Sequence, residues 1–336
     1  MSSLEIKPFT FSSDIEKYSI AHIRSITPQV NKIAQMSELL IILSPPRSFS
    51  SVVSTMIGQH PELYGFPELH LFVGETIDEV MLHHEYRNKP QGPPGLLRTL
   101  AELHNGTQTT QTIVEARVWL DQRRDWSIKK LYDYVLEKIS PKIGVEKSPI
   151  TATTRQYIER AYSCFPRAFY LHLTRHPVSA RKSLIEFIGN KRKSPKSDPG
   201  SGRQIDPIKL WLNAHQNIVN FTDTLPLGQS MRIKGEDILS EPDLYLPQIA
   251  DWLGLRTDTE AIEAMKHPEN SPYANVGPFP ARGGNDGKFM LNPHLRPGKV
   301  REPSLKDELE KGELKETVDD EFAEKIIYFS KQLGYR

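Results

Sequence analysis

The chain has 336 residues, and its 43 Lys and Arg against 42 Asp and Glu leave a net charge of +1, which excludes a general nucleic-acid or membrane-surface binder with its strong basic excess. That length provides a sizeable core and fits one large α/β domain with insertions, or two domains. The single cysteine, Cys164, excludes an intramolecular disulfide framework and points to a reducing compartment.

Residues 1–37 are polar and weakly patterned, with one helix expected around Glu16 to Ile26. Asp14, Glu16, Lys17 and Arg24 interrupt any apolar run, so neither a signal peptide nor a membrane anchor is expected, and the expected location is cytoplasmic. Leu39 to Leu43 then reads as a strand ended by Pro45-Pro46. A hydroxyl-rich turn carrying Arg47 opens a helix with Val52, Val53, Met56 and Ile57 on one face. The apolar stretch Gly65 to Phe72 carries one carboxylate, Glu68. Helical spacing recurs at Ile77, Val80, Met81 and His84, and again over Leu96 to His104, which Asn105-Gly106 ends as a left-handed cap.

Ser127 is an expected N-cap for a helix whose stripe is Ile128, Leu131, Tyr132, Val135, Leu136 and Ile139. Ile143 to Val145 predicts a short strand running into Glu146-Lys147-Ser148-Pro149, then a helix from about Thr151 to Tyr162. Ala168 to Thr174 predicts a strand buried on both faces, delivering Arg175-His176-Pro177 to the start of a helix with Ala180, Leu184, Phe187 and Ile188 inward. Asn190 to Asp206, rich in Lys, Arg, Ser, Pro and Gly, predicts a mobile basic loop. A helix around Trp211 to Phe221, a strand Met231 to Lys234 and a helix around Leu246 to Leu253 come next. Lys266 to Lys299 is too rich in Pro and Gly to predict core, and the chain closes on a charged linker and a helix, Phe322 to Leu333.

This alternation predicts an α/β fold, a mostly parallel central sheet covered by helices on both faces. Residues 1–336 are read as one domain, with an N-terminal extension (1–37), a helical insertion (74–140), the basic loop (190–206) and a C-terminal linker and helix (300–336). Arg47 and Arg175 are both expected beyond carboxyl ends of strands and just before helices, where amides and helix dipoles reinforce guanidinium charge. The ligand should carry at least two anionic groups. A Walker loop is absent: the opening turn has no glycine, and Gly283 to Lys288 is one residue short, with Phe289 in place of the hydroxyl residue. A dinucleotide fingerprint is absent too, and His83-His84-Glu85 lacks the spacing of a zinc helix. No metal is expected.

Ser44-Pro45-Pro46-Arg47-Ser48-Phe49-Ser50-Ser51 after the first strand, together with Leu173-Thr174-Arg175-His176-Pro177 and Ser183, resembles the PAPS-dependent sulfotransferases. The resemblance implies a fold of P-loop-like type and a co-substrate, 3′-phosphoadenosine 5′-phosphosulfate (PAPS), leaving as PAP. It implies that Arg47, Ser48, Phe49, Ser50 and Ser51 hold the 5′-phosphosulfate, with Arg47 beside the sulfuryl bridge, and that Arg175 and Ser183 hold the 3′-phosphate. Phe49 departs from the glycine usual there, which implies a reshaped approach to the sulfate. Lys234-Gly235-Glu236-Asp237 and Trp252-Leu253-Gly254-Leu255 extend the likeness over most of the chain.

His267-Pro268-Glu269-Asn270-Ser271-Pro272-Tyr273-Ala274, with Gly277-Pro278 and Arg282-Gly283-Gly284-Asn285-Asp286 after it, resembles the sulfotransferase domains of olefin-forming (curacin-type) polyketide synthases. That likeness implies His267 as the base on an acceptor hydroxyl and places Gly283, Gly284 and Asn285 among the cofactor-binding residues. It implies as acceptor the β-hydroxyl of an acyl chain on an acyl carrier protein. Likeness to other sulfotransferases, which use a carboxylate in the region after the first helix, implies Glu68 as the alternative base. Arg203, in the basic loop, is read either as a contact to the acceptor or its phosphate-bearing carrier or as part of a solvated surface. A carbohydrate or free alcohol, or a nucleotide-binding module without chemistry, are the other readings.

Overall fold

The computed structural model describes residues 38–87, 90–192, 206–296, 298–315 and 318–335. The expected helix around Glu16 to Ile26 and nearly all of the basic loop, Arg203 included, lie outside them.

Five strands form one parallel sheet: β1 (Leu39–Leu43), β2 (Leu63–Gly65), β3 (Ile143–Glu146), β4 (Phe169–Thr174) and β5 (Ser230–Lys234), in the order β2-β3-β1-β4-β5. The central register pairs Ile41 with Glu146 on one side and Tyr170 on the other. Alternation along β1 divides the core. Leu39, Ile41 and Leu43 face α2 (Ile77–Glu85), α3 (Pro94–Asn105), α4 (Thr110–Asp121), α5 (Ile128–Ile139), α6 (Arg155–Cys164) and α8 (Pro207–Thr222). Leu40 and Ile42 face α1 (Ser50–Ile57), α9 (Gly235–Ser240), α10 (Pro242–Trp252) and α11 (Thr259–Met265). Every β1 side chain is buried, at roughly 1.5–3 kcal/mol for each fully buried apolar group.

Local chemistry sets the helix boundaries. Ser127 accepts from the Lys130 amide at the start of α5, and Gly106 closes α3 at φ 64°. The helix expected from Thr151 divides into a 3-10 turn (Pro149–Thr153) and α6, because Thr154 caps a new start. The remaining helices are α7 (Pro177–Arg192), α12 (Gly287–Leu291), α13 (Leu305–Glu310) and α14 (Asp320–Gln332).

Two expectations need correction. In α7, Ala180 and Leu184 are buried, but Phe187 is 37% exposed because it lies over the Arg47 guanidinium, ring centroid to Cζ 5.2 Å. The Pro- and Gly-rich stretch after Lys266 does contribute to core: Tyr273 and Ala281 are buried. Its irregular backbone is held by side-chain hydrogen bonds instead of by a ladder.

Candidate active site at the carboxyl ends of the strands

All five strands deliver residues to one end of the sheet. Glu68 lies shortly past β2, Lys147 directly after β3, Arg47 beyond β1, Arg175 directly after β4 and Gly235 directly after β5. The strand order therefore sets the lateral order of the side chains, and the contacts obey it.

The loop between β1 and α1 is strained and buried. Arg47 (φ 69°) and Phe49 (φ 61°) both occupy the left-handed region, at about 1–2 kcal/mol each for residues with a side chain. Neighbouring groups hold the conformation. Arg175 Nη1 donates to the Arg47 carbonyl at 2.6 Å, and the Arg175 guanidinium lies 3.9 Å from the centroid of the Phe49 ring. A Cβ at Gly235 would come within 2.8 Å of that ring, so the missing side chain makes its space. Phe49 thus points toward β5 and forms the floor under Arg175.

Arg47 Nε donates to Ser183 Oγ at 3.1 Å, which joins the two loops expected to hold the two phosphates. Its Nη1 is ion-paired with Asp286. Burial pulls Arg47 below its ordinary value and Arg175 down to about 10. The Trp211 indole donates to the Arg175 carbonyl at 2.9 Å, and Glu236 accepts from the His176 amide at 2.9 Å.

On the other side of β1 stands Lys147, which sequence reasoning left without a role. It is buried, and its Nζ donates to Glu68 Oε1 at 2.8 Å, Asn285 Oδ1 at 3.0 Å and Ser51 Oγ at 3.1 Å. Burial alone would raise the Glu68 pKa, but the Lys147 ammonium and a hydrogen bond from His70 (3.1 Å) outweigh it and hold it at about 2. Behind it, Ser148 donates to Glu146 at 2.5 Å and accepts from the His70 amide at 3.0 Å. Burial raises Glu146 to about 7.

Gly283, Gly284 and Asn285 enter from the C-terminal side. The Gly284 carbonyl accepts from the Glu68 amide at 2.6 Å, and a Cβ there would meet Gly95 at 2.9 Å. The Asp286 amide donates to Ser51 Oγ at 3.0 Å. Arg47, Ser51, Arg175, Ser183, Glu68, Gly284 and Asn285 are thus joined in one continuous network. His267 lies apart from that hydrogen-bonded set: it is 47% exposed, with Nδ1 2.9 Å from Glu269 and Nε2 3.5 Å from Glu263. The hydrogen bond to Glu269 raises its pKa.

The donor set suits a ligand with more than one anionic group. Ser48 Oγ and Arg175 Nε are buried polar atoms without a hydrogen-bond partner among the described residues, and Ser48 lies just before the start of α1 at Ser50, an arrangement suited to an anion.

The Sulfotransferase family model matches residues 40–259. Among solved structures, the sulfotransferase domain from the Synechococcus PCC 7002 olefin synthase aligns at TM-score 0.67 and 23% identity, covering 89% of this chain and 94% of that one. The sulfotransferase domain from the curacin biosynthetic pathway aligns at TM-score 0.66 and 23% identity, covering 89% and 98%. No curated protein sequence matches the chain. With the family model spanning more than half of its length, and the strand ends arranged as described, the chain belongs to the sulfotransferase family.

Proposed function

We propose that the chain transfers a sulfuryl group from PAPS to the β-hydroxyl of an acyl chain carried by an acyl carrier protein. The observation that carries the donor half is the row of three cationic side chains, Lys147, Arg47 and Arg175, across adjacent strand ends beside unpartnered buried donors. The acceptor half rests on likeness to the olefin-synthase and curacin-pathway domains.

Arg47, Ser48, Ser50, Ser51 and the α1 amides would hold the phosphosulfate end, and Arg175 with Ser183 the 3′-phosphate. When bound, PAPS supplies the sulfuryl group and a phosphate leaving group. Arg47 and Lys147 stabilise negative charge as it develops on departure. Glu68 is the proposed proton acceptor from the hydroxyl. Its carboxylate is ionised at neutral pH and shares Lys147 with Ser51. Taking the proton ends its ion pair, which releases the Lys147 ammonium toward the leaving phosphate at the step that needs it. His267 is the second candidate base, placed behind Glu68 because it stands half exposed and outside the network that joins Glu68, Lys147 and Ser51.

The test is transfer of radiolabelled sulfate from PAPS to a β-hydroxyacyl carrier, a free alcohol and a sugar, with wild type, Glu68→Gln and His267→Gln. The proposal expects carrier-dependent labelling, abolished by Glu68→Gln and retained by His267→Gln. Loss only in His267→Gln moves the base to His267, and labelling of the sugar alone overturns the acceptor.

A further inference from the structure

Arg98 is a fully buried cation on α3, outside the cluster described above, and all of its hydrogen-bond partners but Gln108 lie far from it in the chain. Nε donates to Gln108 Oε1 at 2.6 Å. Nη1 donates to the carbonyls of Asn275 (2.9 Å) and Gly283 (2.7 Å). Nη2 reaches Asn275 Oδ1 at 3.0 Å and the Pro272 carbonyl at 3.4 Å. Its guanidinium also lies 5.7 Å from the centroid of the Tyr273 ring. One planar fork thus fills the inside of the loop from Pro272 to Gly283 and satisfies carbonyls that have no ladder partner. The loop is shaped around it: a Cβ at Gly277, which has φ 77°, would stand 2.7 Å from Arg98 Nε.

The fork matters because of the three residues directly after Gly283. Gly284 accepts from the Glu68 amide, Asn285 accepts from Lys147 and Asp286 pairs with Arg47. On the near side, Gly95 at the start of α3 presses on Glu68, since a Cβ there would lie 2.2 Å from the Glu68 carbonyl. The segment Gly284 to Asp286 is therefore fixed at one end by Arg98 and rests on the cluster at the other. Burial with a full set of acceptors is a costly arrangement for a charge. A buried apolar residue would fill the volume without setting the height of the strap.

We propose that Arg98 is a positioning residue for sulfuryl transfer, one that holds the Gly284–Asp286 strap so that Asn285 and Glu68 keep Lys147 aimed at the reacting centre. This rests on the function proposed above. It assigns Arg98 no contact with substrate or co-substrate.

The experiment compares wild type, Arg98→Met, Arg98→Lys and Asn275→Ala, with Leu100→Ala as a buried truncation on the same helix. Three quantities are read: kcat for transfer, the dissociation constant for PAP, and the rate at which acetic anhydride acetylates Lys147, measured by peptide mass spectrometry. Arg98→Met is expected to lower kcat by about 10²-fold, as misplacement of a remote support does, with PAP affinity within about threefold because Arg175 and Ser183 are untouched. Lys147 acetylation should rise about tenfold through local opening of the strap. Arg98→Lys should recover only a part of kcat because its single ammonium cannot span the loop. Asn275→Ala, a change at an exposed residue, should show the same pattern more weakly, and it carries the test if Arg98→Met does not fold. If Leu100→Ala gives the same pattern, or if kcat and PAP affinity fall by equal factors, the proposal is overturned. Absence of transfer in wild type would defeat the proposed function alone. The acetylation arm would then still decide whether Arg98 holds Lys147.

Discussion

Replacing Lys147 by Met removes the ammonium that Glu68, Ser51 and Asn285 share, and the consequence can be worked from the carboxylate it leaves behind. Glu68 is held at about 2 against an ordinary value of 4.5, with burial opposing and Lys147 the largest favourable influence. Without Lys147 the carboxyl moves back toward its ordinary range, with the His70 hydrogen bond still drawing it down. A full return from about 2 to 4.5 would be worth about 3.5 kcal/mol at about 1.4 kcal/mol per unit, an upper figure because His70 remains and the side chain is 22% exposed. Linkage gives the sign. A depressed carboxyl contributes stability that is present above the unfolded value near 4.5 and is lost as pH falls through about 2. Urea unfolding of wild type and Lys147→Met should therefore differ by up to about 3.5 kcal/mol at pH 7 and by less than half of that difference at pH 3. Transfer should fall about 10²–10³-fold, as for removal of one preorganised donor. A stability gap that is the same at both pH values would refute the assignment of Lys147 as the partner that holds Glu68 ionised.

The neighbouring groups set further expectations. Arg47→Ala removes the link to Ser183 and the charge beside α1, so PAP binding measured by calorimetry should weaken at least about tenfold, as loss of a charge-assisted contact does. Phe49→Leu removes the ring under Arg175, and a cation–π contact worth about 1 kcal/mol predicts roughly fivefold weaker PAP binding. The buried pair His172 and His215, 2.8 Å apart, is kept neutral by burial, which pulls His215 down to about 3. The unfolded chain takes up these protons below about 6.5 and the native state does not, so stability should fall on acidification from pH 6.5. Glu146, raised to about 7, acts in the opposite sense between pH 7 and 4.5. The readout is accordingly the difference between wild type and His215→Phe, whose acid slope should be shallower, and equal slopes would contradict the reading.

The strands that carry the site were legible because β1 and β4 are continuous apolar runs ending in Arg-bearing turns. Their helices were legible from spacing and from Pro177. Lys147 was not, although Glu146-Lys147-Ser148 was in plain view. A lysine in a sequence reads as a solvated charge until the strand before it is known to lie beside β1. Strand order is settled by packing over long sequence separations, and no local pattern encodes it, so the adjacency of Glu68, Lys147 and Ser51 could not be read. The edge strand β2 is three residues long, too short for periodicity. The α4 helix has little apolar contrast and starts on a Thr109–Thr112 capping box, whose Thr-for-Glu form hides the usual signature. In the sequence, Phe49 in place of the usual glycine implies a reshaped approach to the sulfate. The structure shows where its ring goes: against Arg175 and into the space that Gly235 leaves.

The measurement that tests the central claim most directly is incorporation of labelled sulfate from PAPS into a β-hydroxyacyl carrier protein, resolved by intact-protein mass spectrometry. The account predicts a sulfated carrier with wild type, formed about 10²–10³-fold more slowly with Lys147→Met and more slowly also with Arg47→Ala. An unmodified carrier, with no binding of PAP to the wild-type protein, would contradict it.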